Sequence, residues 1–475
     1  MKVKIGLETH VQLNSLSKLF CGCRNPVNLK EEPEPNSLTC PTCLGMPGSK
    51  PVLNKKVVEL ATKVGIAMNC KIADEMYFSR KTYFYPDMSK NYQITQYEIP
   101  LASKGYLEIE SSGKKKKITI RRIHIEEDPA KVIHVGGLGG KYVLVDYNRS
   151  GIPLIEIVTE PDFESPQEAR LYLQKLTTIL EYLGVYDSDS QAVLKTDANI
   201  SMHGDGVTGN RVEIKNITGQ KEVEDALKYE MVRQGSLLTR GVQVKMETRM
   251  WNPDIGSTQE MRGKEAEAEY GYVLEPDLSG FTIQKQLAMD LKKSLPELPD
   301  QKYQRFVTQY KLPEAVAESI VSEAGIAELF EYVSKKADPK IAGGFISGDL
   351  KKTLNWNNLR FKQSGLEKEW VLDLLKLFSE GKITDRNAEL AIRKMVEEKK
   401  SAKEIVEKYS LMKAKLDLES VIKKIVENNR KPAEDYQKGE KKALEFLIGQ
   451  VMREAKGQVD ATEIRSSLIE FLGKF

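Results

Sequence analysis

Hydrophobic and polar residues alternate almost without fault from Val3 to Leu13. Val3, Ile5, Leu7, Val11 and Leu13 share one face with Thr9, while Lys4, Gly6, Glu8, His10 and Gln12 share the other. This predicts a strand with a buried apolar face, on which Glu8 and His10 point the same way. A solvated polar face would read alike, so the pair gains meaning only if other segments present acids in the same manner. Two do. In Ile118 to Lys131, Ile118 and Ile120 alternate, the phase slips at Arg121 and Arg122, and Ile123 and Ile125 then alternate with His124 and Glu126 before Glu127 and Asp128. Such a slip marks a β-bulge, a device that re-aims side chains beside sites. From Val193 to Ile217 a hairpin is expected around the glycine-rich turn HGDGVTGN. Leu194, Thr196, Ala198, Ile200 and Met202 face one way, and Lys195, Asp197, Asn199 and Ser201 the other; the return strand alternates Val212 and Ile214 with Arg211, Glu213 and Lys215.

Converging carboxylates repel unless a cation lies among them. A site holding Glu8, His10, Glu126, Glu127, Asp197 and Glu213 therefore calls for a divalent metal. Oxygen ligands favour magnesium, and His10 adds tolerance for manganese. Lys215 and Arg211 are then placed to meet phosphate, with Asn199 in the same polar patch.

The remaining patterns set the frame. Asn54 to Met68 has helical spacing at Val57, Leu60, Ala61, Val64 and Ala67. Ser79 to Glu98 crowds Arg80, Lys81, Lys90, Asn91 and Gln93 around Tyr83, Phe84 and Tyr85; before Pro86 the chain must be extended or looped, which suits an aromatic core corner or a polar substrate wall equally. Lys114 to Lys117 is expected to be a solvated hairpin turn. From about Leu291 the spacing becomes helical, over Lys302 to Tyr310, Pro313 to Lys335, Trp370 to Glu380 and Asp385 to Lys400. A last unit starts near Tyr409. Its main helix, Lys441 to Lys456, carries the stripe Leu444, Leu447, Ile448, Val451, Met452 and Ala455 and is stopped by Gly457; Asp460 and Glu463 cap a final helix bearing Ile464, Leu468, Phe471 and Leu472. The fold class is α+β: residues 1–290 with a mixed or antiparallel sheet, 291–408 helical, and 409–475 a small helical tail.

Composition narrows the function. The 475 residues are 40% hydrophobic, enough for a sizeable core in two or three domains. Basic and acidic residues, 72 against 69, nearly cancel, which excludes bulk coating of nucleic acid and confines any RNA contact to local surfaces. No run of about 18 apolar residues occurs and the N-terminal stretch has no apolar signal region, so no membrane contact and a cytoplasmic protein are expected. Four of the five cysteines stand as C-x-C at Cys21 and Cys23 and C-x-x-C at Cys40 and Cys43, the spacing of a structural zinc knuckle. Four thiolates leave no open position for a substrate. Cys70, after a helical run, is expected to be a buried small side chain.

One stretch is more specific than the rest. Val145 to Pro161, VDYNRSGIPLIEIVTEP, resembles the signature of the B subunit of the tRNA-dependent amidotransferases through Asp146, Asn148, Arg149, Pro153, Leu154, Glu156 and Pro161. GLETH at Gly6 to His10, RKTYFYPD at Arg80 to Asp87, HIEED at His124 to Asp128, DANIS at Asp197 to Ser201, VEIKN at Val212 to Asn216, EPDL at Glu275 to Leu278 and PELPD at Pro296 to Asp300 resemble the same family in the same order. LKT before DANIS, where the family often has L-R-C, and MHGDG after it are departures that touch fine substrate contacts. There is no room between Asp277 and Pro296 for the inserted domain of the related archaeal E subunit.

The resemblance implies a cradle-like catalytic domain that phosphorylates the side-chain carboxylate of a mischarged glutamyl- or aspartyl-tRNA with ATP and magnesium. Ammonia then displaces the phosphate; it comes from glutamine hydrolysed by a glutaminase A subunit, and a small C subunit wraps the pair. By motif, Glu8, His10, Glu126, Glu127 and Glu213 would bind the metal, with Asp197 a weaker member, and the tail would grip the tRNA body. No G-x-x-x-x-G-K-[ST] loop is present, so the nucleotide must be held otherwise. The alternative is a zinc-bearing RNA-binding or assembly factor that kept the fold without the chemistry.

Overall fold

The computed structural model describes residues 1–475 except 137–141, 205–206, 262–269, 414–417, 438, 456–458, 460 and 475. Strand β1 (Lys2–Gln12) forms where the alternation places it, with Ile5, Leu7, Thr9 and Val11 buried. Helix α1 (Lys55–Ala67) begins where Asn54 accepts a hydrogen bond from the Lys56 N–H, and it buries the predicted stripe. Short strands β2 (Lys71–Ile72) and β3 (Glu75–Met76) follow, then β4 (Ser79–Thr82) and β5 (Tyr92–Thr95), with the aromatic loop between them. Strands β6 (Ala102–Ser111) and β7 (Lys114–Glu127) form a long hairpin. Its turn is Ser112–Gly113, so Lys114–Lys117 are not the turn expected; they pair with Glu108–Ser111 as part of β7, because the positive-φ pair Ser112 and Gly113 already closes the hairpin.

Next come the hairpin β8 (Lys131–His134) and β9 (Val143–Asp146), strand β10 (Pro153–Thr159) and helix α2 (Pro166–Tyr182), whose cap is the Ser165 hydroxyl accepting from the Glu168 N–H. Strands β11 (Leu194–Gly204), β12 (Val207–Thr208) and β13 (Val212–Thr218) lead to helix α3 (Gln220–Thr239), then β14 (Glu247–Asn252), β15 (Ser257–Glu260) and β16 (Gly271–Leu274).

The sheet runs β15-β14-β13-β11-β1-β10-β7-β5-β4-β16, antiparallel throughout except for the parallel pair β13 and β14. One face of its centre is apolar: Ile5, Leu7 and Val11 of β1, Ile123 and Ile125 of β7, Ile155 and Ile157 of β10, and Ala198 and Ile200 of β11 join one core with residues of α2 and α3. The opposite face collects the polar residues. The slip at Arg121 is a bulge: Val158 and Thr159 are opposed by Arg122 and Ile120, leaving Arg121 unpaired against β10.

Residues 1–298 form one compact unit and 299–475 a second, helical one. The stretch Pro313 to Lys335 is two helices, Glu314–Val321 and Ala324–Val333. The break is at Glu323, whose extended backbone starts the second helix and whose carboxylate accepts from the Phe361 N–H at 2.8 Å. In the tail, Leu444, Leu447, Ile448, Val451 and Ala455 of the helix Lys441–Glu454 and its C-terminal end close a core with Ile464, Leu468 and Leu472. The expected stop at Gly457 and cap at Asp460 lie outside the described residues.

Candidate active site

Registers across β11, β1, β10 and β7 carry the site. Glu8 is opposite Asp197, His10 opposite Glu156, and Glu156 opposite His124. His10 Nε2 lies 3.4 Å from Glu156 Oε2 and 3.7 Å from Glu126 Oε1. From the other side, His124 Nε2 lies 3.2 Å from Glu156 Oε2 and 3.6 Å from Glu126 Oε2. Glu8, His10 and Glu156 can each offer a ligand atom within 4.8 Å of the others, and so can His124, Glu126 and Glu156.

So many charges under cover shift one another. Burial and the neighbouring Glu156 push Glu8 up to about 7. Burial opposes protonation of His10, yet its hydrogen bond to Glu156 and the charges of Glu126 and Glu8 hold it at about 10. His124, also against the effect of burial, is held at about 9 by Glu156 and Glu126. In return the imidazolium groups keep Glu126 and Glu156 below the usual carboxylate range although both are buried. Two imidazolium groups thus supply the positive charge that the carboxylates require, in the place where a divalent cation would supply it.

A second group adjoins through Glu8. Lys215 Nζ lies 2.7 Å from Asp197 Oδ2 and 2.9 Å from Glu213 Oε1, and Glu213 Oε2 accepts from the Thr248 hydroxyl at 3.1 Å. The register shifts between Thr196 and Ala198, so that Lys215 and Asn216 share the place opposite Asp197; this bulge turns the lysine toward both acids. Despite burial, Asp197 and Glu213 hold the Lys215 ammonium above its ordinary range. Asn199 is paired with Glu213 in register, and Arg211 stands exposed just before β13.

Glu127 is not brought to this cluster. It follows Glu126 on β7, and consecutive strand residues leave on opposite faces. Its carboxylate pairs with Lys90 and accepts the Ile94 N–H at 2.8 Å. Asp128 accepts both Arg149 Nε at 2.7 Å and Nη2 at 2.6 Å, with Gln12 Nε2 at 2.6 Å. Conversely, Glu156 and His124 stand at the centre although neither belongs to the expected metal group: the alternation of β7 puts His124 on the face of Glu126, and Glu156 enters only through the family signature. The signal was available: Glu156 is the one acid within an apolar run, PLIEIVT, and only 6% of it is exposed.

The four cysteines converge as their spacing predicts. Cys43 Sγ is 3.3 Å from Cys21 Sγ, 3.7 Å from Cys23 Sγ and 3.7 Å from Cys40 Sγ; tetrahedral zinc with Zn–S of about 2.3 Å separates its sulfurs by roughly 3.8 Å. The set fits zinc. A hydrogen bond from Cys21 and, against burial, the nearby Lys18 ammonium bring Cys43 down to about 4, toward the thiolate form a metal needs. Lys18 is wholly buried, with Nζ 2.9 Å from the Leu38 carbonyl and 3.6 Å from Cys43 Sγ. Cys70 is half-buried, with Sγ 3.7 Å from the Met68 carbonyl oxygen.

An acid and imidazole cluster in the middle of a sheet, flanked by a lysine clamped between two further acids, is the equipment of an enzyme that handles charge. Residues 3–289 match the GatB/GatE catalytic domain and residues 328–472 the GatB domain. The chain belongs to this family, the B subunits of the tRNA-dependent amidotransferases. Proteins named as the B subunit of aspartyl/glutamyl-tRNA(Asn/Gln) amidotransferase are similar to it from end to end. That of Methanosarcina barkeri is 43% identical, over 99% of this chain and 98% of that protein. That of Caldanaerobacter subterraneus subsp. tengcongensis is 44% identical, over 99% of each. That of Thermodesulfovibrio yellowstonii is 43% identical, over 98% of each. Among the described residues no helix is long and apolar enough to cross a membrane.

Proposed function

We propose that this chain activates and amidates the side-chain carboxylate of glutamyl-tRNA(Gln), aspartyl-tRNA(Asn) or both, using ATP and ammonia. The ammonia comes from glutamine hydrolysed by an amidase A subunit, and a small C subunit completes the cytoplasmic assembly. The relatives' shared name, with both amino acids in it, supports the substrate class. The observation that carries the chemistry is the meeting of Glu8, His10, Glu126 and Glu156 on one face of the sheet.

Those four are the residues that would hold magnesium, with tolerance for manganese through His10; when bound, the ion neutralises charge on the transferring phosphoryl group. His124 holds Glu126 and Glu156 in place from behind, and Asp197 and Glu213 extend the acidic group toward Lys215. Lys215 is anchored at both sides, so its ammonium can face phosphate without the chain losing freedom at that moment. Arg211, at the strand's entrance, is a second phosphate contact. Glu127, paired with Lys90 on the other face, stands outside the metal group. Zinc in the four-cysteine site is structural, since all four positions are filled by protein sulfur.

The test is to co-express the chain with its A and C partners and measure amidation of each mischarged tRNA with ATP, once with glutamine and once with saturating ammonium. Absence of amide with either donor, in a complex that binds tRNA, would leave only a binding module.

A further inference from the structure

In the C-terminal unit, the described large apolar side chain most open to water is Trp356, 87% exposed. It ends the helix Lys351–Trp356, which runs on from a π-helical turn, Ile346–Leu350. Such turns, which interrupt α-helices, are frequent at functional sites. Trp356, Asn355, Lys352, Lys351, Ser347 and Ser319 line an open groove of about 590 Å³ beside Gly348, where an added Cβ would meet nothing within 4 Å.

The lining offers donors and no carboxylate. Lys351 Nζ is fixed by the Ser319 carbonyl at 2.7 Å and the Ser322 hydroxyl at 2.9 Å; Lys352 makes a pair with Glu389 at 3.0 Å, of the exposed kind that a phosphate displaces readily. Lys351, Lys352, Arg360 and Lys362 fall between Asp349 and Glu367 with no acid among them; Asp349 and Glu389 lie near Lys352 but do not line the groove. A protein partner fits this surface poorly, because interface cores are depleted of lysine and the groove has a single aromatic face to bury. A nucleotide fits it well: the base stacks on the indole, the phosphate lies against Lys352, and the Asn355 amide meets a base edge.

We propose that this groove takes one unpaired nucleotide of the bound RNA, an inference that rests on the reading of tRNA as substrate. The assembled three-subunit complex is titrated with mischarged tRNA at one fixed salt concentration and then over a salt series, as wild type and with Trp356→Ala, Trp356→Phe or Lys352→Ala. Losing a stacked base should weaken tRNA binding about 5- to 100-fold in Trp356→Ala, while Trp356→Phe keeps most of the affinity. Lys352→Ala should weaken binding and reduce its salt dependence. The melting temperature should not move, since so little of Trp356 is buried. Unchanged affinity in Trp356→Ala, beside a wild type that binds, overturns the nucleotide site alone. A wild-type complex that binds no tRNA overturns this site together with the substrate assignment. Loss of subunit assembly in Trp356→Ala overturns it in favour of a protein contact.

Discussion

His124 and Glu156 face each other across β7 and β10, with His124 Nε2 3.2 Å from Glu156 Oε2. Glu156 also holds His10 at 3.4 Å, so one carboxylate joins the two imidazoles of the site. Replacing it by Gln keeps the shape and removes the charge that both rings depend on. We expect Glu156→Gln to lower kcat on the order of 10² to 10³, with ammonium as well as with glutamine, because an external nitrogen source cannot replace activation of the carboxylate. Near-normal amide yield with saturating ammonium would refute the placement of the activating site here.

Glu127→Gln should behave differently, because its side chain leaves the other face of β7 and meets Lys90. Titration with manganese should give near-normal affinity for Glu127→Gln and clearly weaker affinity for Glu156→Gln and Glu126→Gln. Equal losses in all three would show that the acids act as one group across both faces.

The raised imidazole values fix a pH dependence. A folded-state pKa above the ordinary 6.5 means that protonation of His10 and His124 contributes stability fully below that value, and that the contribution is lost as pH rises through about 9 for His124 and about 10 for His10. The metal-free protein should therefore melt at falling temperature between pH 6.5 and 10. A divalent ion takes over the positive charge, so its binding should release protons near pH 8 and flatten that slope. Calorimetry in two buffers of different ionisation enthalpy reads the protons; none released would mean that the ion does not meet His10.

For the cysteine knuckle, Cys40→Ser should reduce bound zinc from about one per chain to near zero and lower the melting temperature, while the kinetics of the folded fraction change only mildly. A variant of normal thermal stability that is catalytically dead would contradict a structural role.

Ending the chain at Lys408 removes a tail whose core, Ile422, Val426, Leu447, Val451, Ile464 and Leu468 among others, is closed among its own helices. The expected outcome is a raised KM for tRNA with kcat at saturating tRNA largely kept. Unchanged tRNA affinity at moderate salt would remove RNA gripping from the tail.

Much of this protein is decided by local chemistry and is legible in the chain. Period-two alternation sets β1 and puts Glu8 and His10 on one face, the phase slip at Arg121 is a bulge, Asn54 starts α1, and the Cys spacing assembles four sulfurs. The strand and the helix start depend on neighbours within a few residues, and the bulge and the knuckle leave their mark in a local phase slip and in short Cys spacings, so the pattern itself contains the answer. Which strands lie side by side is another matter. β1 is flanked by β10 and β11, distant in sequence, and only that pairing sets Glu156 between His10 and His124 and Asp197 opposite Glu8. Alternation could have separated Glu126 from Glu127, but it could not say that Lys90 awaits the second. Nor could it show that Glu156, an acid in an apolar strand, is stable there: burial of that charge is tolerated because tertiary packing delivers two imidazoles to one of its oxygens and the Arg122 guanidinium, at 3.6 Å, to the other.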